Sequence, residues 1–182
     1  MEQIKITVAL VVAILLQWTL RNVAEPMAYL DLPLIIVVYA ALQQNAIRAI
    51  FFGTIAGISV DALSGGLLGS SGFAKTLVAF IVSEIARRFN LDNPLVRIPV
   101  IAGACLLNNF VYFGMHKLLG QNLVGSVFET MAYTVLGTTI AGTFIFLFLD
   151  SFSSQSLKKK RRTLFAPRRQ TRRRNPIRLG RK

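Results

Sequence analysis

Asp61 and Lys75 stand out first, because a charged side chain inside a hydrophobic stretch is costly and is by default a functional suspect. Asp61 falls near the outer end of one apolar stretch, and Lys75 about one turn into the next. The segment between them, Ser64–Gly72, is rich in Gly and Ser, so the flanking helices should be antiparallel neighbours. That geometry permits an Asp61–Lys75 ion pair. The alternative is that both side chains snorkel to the outer interface. Asn108 and Asn109 fall mid-way along a later apolar stretch. Adjacent helical positions point about 100° apart, so both cannot face lipid comfortably. One is expected to bond across helices as bundle glue, with a ligand contact as the other reading. Glu84 and Arg88, at i and i+4, form a favourable interfacial pair.

Catalysis finds little support in the remaining residues. His116 is the only histidine and Cys105 the only cysteine. A zinc site takes three or four ligands, which these two cannot supply. Hydrolysis needs a nucleophile and a base within hydrogen-bond reach, and no motif pairs them. The run Gly65-Gly66-Leu67-Leu68-Gly69 lacks the Gly-Lys-Ser/Thr of a phosphate-binding loop and reads as a flexible turn. No enzyme, cofactor or metal is expected.

The elements that carry these residues are set by composition. Of 182 residues, 53% are hydrophobic and 16% charged, whereas a soluble domain is about a quarter charged. One cysteine excludes a disulfide scaffold. The net charge of +13 is confined to one end: residues 158–182 hold 13 of the 21 Lys and Arg and no acid. Residues 1–157 are neutral overall and form the expected membrane domain. Residues 158–182, with Pro167 and Pro176, form an expected disordered cytoplasmic tail.

Six hydrophobic segments are expected as helices: Ile4–Leu20, Ala28–Gln43, Ile47–Ser64, Ser70–Arg87, Leu95–Lys117 and Val127–Leu149. They are continuous rather than alternating, which argues against a barrel. Val8–Leu16 and Ile140–Leu149 lack the polar stripe of a soluble bundle. The first segment, with Trp18, reads as an uncleaved anchor, since no small-x-small site follows Leu20. The second contains Asp31 and Pro33 and could be a half-span. The fifth should start with Asn93 as cap and Pro94 as first residue, and should kink at Pro99. With the N-terminus inside, 18 basic residues fall on the cytoplasmic side, among them Lys5, Arg48, Arg87, Arg88 and Arg97, against Arg21 and Lys117 outside. Six spans then place both termini in the cytoplasm.

Ala49, Gly53 and Gly57 recur at spacing four on one face of the third helix, and Gly137 and Ala141 on the sixth. Such stripes serve either a partner protein or packing within the bundle.

The stretch Gly53-Thr-Ile-Ala-Gly57-Ile-Ser-Val-Asp61-Ala-Leu-Ser64-Gly65-Gly-Leu-Leu68-Gly69 resembles the signature region of the bacterial rod shape-determining MreD family. Asp31-Leu-Pro33-Leu-Ile-Ile-Val-Val-Tyr39-Ala-Ala-Leu42 looks like the family's second hydrophobic segment. The resemblance is clearest over residues 28–90. It implies a six-helix protein of the inner (cytoplasmic) membrane, similar in fold to the substrate-binding subunits of energy-coupling-factor vitamin transporters. It implies a scaffold of the cell-elongation complex, linking MreC and wall-synthesis (peptidoglycan) enzymes to cytoplasmic MreB filaments. The working surfaces would be the Gly53/Gly57 face, the motif from Asp61 through Ser64 and Gly65 to Gly69, and the Arg87–Arg97 loop. A runner-up follows from the fold likeness: a micronutrient-transporter subunit, with Asp61, Asn108, Asn109 and Tyr112 at a vitamin cavity.

The tail is more basic than the resemblance accounts for. Lys158, Lys159, Lys160, Arg161 and Arg162 lie near the last span, where cations anchor topology and attract anionic lipid. The distal Arg168–Arg174 group could reach an acidic protein. Nucleic acid is disfavoured, because no aromatic residues interleave to stack bases.

Overall fold

The computed structural model describes residues 2–23, 29–65, 67–89, 94–120 and 127–164, with 2, 21–22, 94–95 and 150–164 as backbone. These form six helices: α1 (Glu2–Val23), α2 (Leu32–Ala41), α3 (Ala46–Ser64), α4 (Ser70–Arg88), α5 (Pro94–Leu118) and α6 (Val127–Leu164). Among the described residues there is no strand, as expected where backbone amides must be satisfied within each segment.

Local sequence sets most of the ends. Asp31 caps α2, its carboxylate accepting from the Leu34 amide at 3.1 Å, and Pro33 occupies the first turn. Asn45 caps α3 through the Arg48 amide at 3.3 Å. Gly65 closes α3 at φ +62° and Gly69 opens α4 at φ +96°. Both angles are left-handed, which suits a residue without Cβ. Helix α5 begins at Pro94 and continues through Pro99 to Leu118. Asn93, its expected cap, lies outside the described residues.

Helix α2 is the centre of the bundle. It packs against each of the other five helices, and nine of its ten residues are buried. Leu34, Ile35, Val37 and Val38 form the heart of the core. At ten residues it is about 15 Å long, half the thickness of a bilayer core. The expected Ala28–Gln43 segment is therefore corrected to a half-length helix. Its start is fixed by Asp31 and Pro33, and its end by a turn in which Gln44 takes φ +62°.

Among the described residues, four helices are long and apolar enough to cross a membrane: Gln3–Leu20, Ala46–Ser64, Val96–Leu118 and Val127–Leu149. Helix α4 has 19 residues but carries Ser70, Ser71, Lys75, Ser83 and Glu84, and ten of its residues are buried. The chain is thus a polytopic helical membrane protein with two inner helices, α2 and α4, sheltered by the longer apolar ones. Ile47, Phe110, Phe128 and Phe144 point outward, as lipid-facing side chains do.

Helix α6 continues to Leu164, past the 157/158 boundary expected for the tail. The backbone of Lys158–Arg162 is helical. Lys, Arg and Leu are good helix formers, and cations favour a helix C-terminus. Residues 165–182 lie outside the described residues.

Candidate functional site

The start of α2 gathers polar side chains from four other helices. Asp31 is the hub. Its Oδ2 accepts from Lys75 Nζ of α4 at 2.6 Å and from Asn108 Nδ2 of α5 at 3.4 Å. Its backbone N–H donates to Thr138 Oγ1 of α6 at 3.2 Å. Gln17 of α1 accepts from the Leu32 amide at 3.0 Å and donates to the Leu30 carbonyl. A helix N-terminus leaves N–H groups unpaired and favours an anion. Here both needs are met by Asp31, and the Lys75 ammonium neutralises the carboxylate.

Lys75 is 2% exposed, so it does not snorkel, and its partner is Asp31 rather than Asp61. The expected Asp61–Lys75 pair is corrected accordingly. Helix α4 turns Lys75 toward the centre of the bundle, whereas Asp61 is already engaged. From the end of α3, the Asp61 carboxylate accepts from the amides of Gly69 at 2.8 Å, Ser71 at 3.0 Å and Gly72 at 3.2 Å. It caps α4 from outside that helix, satisfying donors that its own first turn cannot. The motif from Asp61 to Gly69 is a capping loop: Gly65 ends one helix, Gly69 begins the next, and Asp61 clamps them together. Ser64 is exposed at the end of α3.

The Gly53/Gly57 face packs within the chain. Helices α3 and α4 are the most intimately packed pair. A Cβ at Gly57 would come within 2.5 Å of the Gly72 nitrogen, and one at Gly53 within 2.8 Å of the Lys75 carbonyl oxygen. The partner reading of this face is corrected: α4 already occupies it. Gly137 of α6 faces the Leu30 side chain, which a Cβ would meet at 3.2 Å.

Asn108 and Asn109 are both buried. Asn108 bonds across to α2 as expected of one of them. Its Oδ1, Asn109 Nδ2, Ser83 Oγ and Thr139 Oγ1 are buried without a hydrogen-bond partner among the described residues. Glu84 pairs with Arg88 at 3.3 Å and with Arg87 at 3.4 Å on an exposed surface. Arg97 is half-buried near the start of α5.

His116 is buried, its Nδ1 lying 3.2 Å from Ser70 Oγ and 3.0 Å from the Tyr112 carbonyl oxygen. Ser70 is 1% exposed, so this contact ties α4 to α5 in the interior. Cys105 Sγ rests 3.7 Å from the Thr134 carbonyl. No group of three or more His, Cys, Asp or Glu that could hold a metal occurs among the described residues.

Sequence reasoning missed Gln17 and Thr138, and saw Asp31 only as an interruption. The available signal was local: an acid two residues before a proline is a helix cap, and Gln17 is a polar residue in an apolar run.

Fold and site together define a polytopic membrane protein whose buried polar side chains join helix to helix. The profile of the family described as rod shape-determining protein MreD matches residues 2–152, and the chain belongs to that family. Its role is in rod shape determination. Comparison with curated proteins and with solved structures returned no match. The family match spans α1 to α5 and α6 as far as residue 152, so the basic cluster Lys158–Arg162 lies beyond it.

Proposed function

We propose that this chain is a membrane scaffold of the cell-elongation complex, joining MreC and wall-synthesis enzymes to cytoplasmic MreB. The family match carries this reading. The engagement of the buried polar groups supports it. Lys75, Asn108 and Thr138 meet Asp31, Gln17 meets the backbone of Leu30 and Leu32, and Asp61 meets the start of α4. Groups used in this way position helices rather than act on a substrate.

The orientation that accords with the basic residues is N-terminus and C-terminus inside, in the cytoplasmic membrane. Residues 1–157 then form the membrane body, and the basic segment 158–182 adheres to anionic lipid on the inner face. With the Gly53/Gly57 face covered, the surfaces left for partners are the outward sides of the apolar helices and the Arg87, Arg88 and Arg97 region. Against the vitamin-cavity reading, the Asp61 carboxylate is taken up by the amides at the start of α4.

The test is to solubilise the tagged chain gently from its native membrane and identify by mass spectrometry what accompanies it. Recovery of MreC, MreB or wall-synthesis enzymes is expected. Recovery instead of a transporter ATPase pair with its coupling subunit would overturn the proposal.

A further inference from the structure

Between α1 and α6 runs a groove that reaches down to α2. Helix α1 packs on α2 and α3, whereas α6 packs on α2 and α5. The gap is an apolar groove of about 590 Å³. Val8, Val12 and Leu16 of α1 and Phe148 of α6 form its walls, and Ile36 and Tyr39 of α2 its floor. Lys5 is the one charged residue that lines it.

Connectivity places Lys5 at the mouth. Gln17 joins the far end of α1 to Leu30 and Leu32 at the start of α2. Lys5 therefore lies toward the other end of α2, near Tyr39, whose ring meets Phe146 of α6 at 5.4 Å. Lys5 is exposed and forms no ion pair among the described residues. Arg48 of α3 lies at the same end, its guanidinium against the Gln3 side-chain amide. Beyond Phe148 the α6 backbone leads on to Lys158–Arg162. In sequence, this end also holds Arg87, Arg88 and Arg97, ten cations with those named, against Glu2, Glu84, Asp92 and Asp150.

We propose that the groove seats an anionic phospholipid, one acyl chain lying along α2 and the phosphate pairing with Lys5. Chemistry and shape favour a lipid over a partner helix. Helices in a bilayer approach one another through small residues, but the rim of this groove is Val8, Val12 and Leu16. Of its small lining residues, Ala13 is buried and Ala9 half-buried, so bulky side chains make up most of the surface that an occupant meets. A flexible chain conforms to such a surface, and a lone lysine at the mouth selects a negative headgroup. This site is separate from the basic tail.

The experiment uses the full chain reconstituted in vesicles of equal phosphatidylglycerol and phosphatidylcholine. After extraction in mild detergent, retained lipid is counted by native mass spectrometry. The unaltered chain should retain phosphatidylglycerol over phosphatidylcholine by roughly fivefold. Lys5→Gln should bring the ratio near parity, and the tail, present in both proteins, cannot account for that change. Val12→Trp should reduce retention of both lipids. Val11→Trp, on the same helix but outside the groove, should not. An unchanged ratio in Lys5→Gln, or equal retention by the two tryptophan variants, would overturn the proposal. So would a polypeptide helix found seated in the groove of protein taken from its native membrane.

Discussion

Lys75 of α4 and Asp31 at the head of α2 meet at 2.6 Å in the interior of the bundle, with side chains 3% and 17% exposed. The contact joins the two innermost helices of a membrane protein at the point where a helix N-terminus, a carboxylate and an ammonium neutralise one another. Breaking one side of such a pair leaves an unpaired buried charge, at a cost of about 3–5 kcal/mol. Asp31→Asn retains a good cap residue and removes only the charge. Asp31→Asn and Lys75→Met should each lower the melting temperature in detergent strongly, and the double variant should lose much less than their sum. Additive losses would show that the two residues are not coupled.

Asp61 makes a different prediction. Its carboxylate holds three amides at the head of α4, so Asp61→Ala should cost about 1–2 kcal/mol as a lost cap. Combined with Lys75→Met, the losses should add, because Lys75 has another partner. Thermal unfolding of the two single variants and the double variant checks this directly.

The α3–α4 contact should be intolerant of side chains at one glycine and indifferent at another. Gly57→Ala places a methyl group against the Gly72 backbone, and neither helix backbone can yield without separating. A marked loss of folded protein on size exclusion is expected. Gly103→Ala, where a Cβ meets nothing within 4 Å, should be neutral or stabilising by up to about 1 kcal/mol.

Gln17 and Thr138 should each matter more than their polarity suggests. Thr138→Val orphans the Asp31 amide and Gln17→Leu the Leu32 amide. A buried donor left unpaired costs about 1–3 kcal/mol. Losses below that range in detergent melts would show that water reaches the head of α2.

Removal of residues 158–182 should leave folding and membrane insertion intact, since the family match ends at residue 152. Protease accessibility of tagged, truncated protein in membranes measures this. Failure to insert would show that the basic segment sets topology by itself.

The helices were legible because their cause is local. Continuous apolar runs bounded by Asn45, Gly65, Gly69 and Pro94 locate the ends of α3, α4 and α5 within a residue or so. The length of α2 was less so: Asp31 and Pro33 announce its start, but its burial by five neighbours depends on tertiary packing. The choice of Asp31 over Asp61 as the partner of Lys75 was not legible. Both acids lie near helix ends, and sequence separation favours the nearer one. What decides is which way α4 is rotated, and that rotation follows from Gly53 and Gly57 admitting its backbone so closely. Gln17 and Thr138 were hidden for a similar reason, since their partners are backbone groups that carry no sequence signature.

The central claim is that the buried charges hold helices in place and do no chemistry. The most direct measurement is cell shape in a rod-shaped bacterium whose native copy has been depleted and replaced by the Asp31→Asn, Lys75→Met double variant, with membrane level checked in the same cells. Rods of normal width are expected, although no charge remains at the node. Rounded cells containing normal amounts of folded, inserted double variant would contradict the claim, because the ionisable pair itself would then be required.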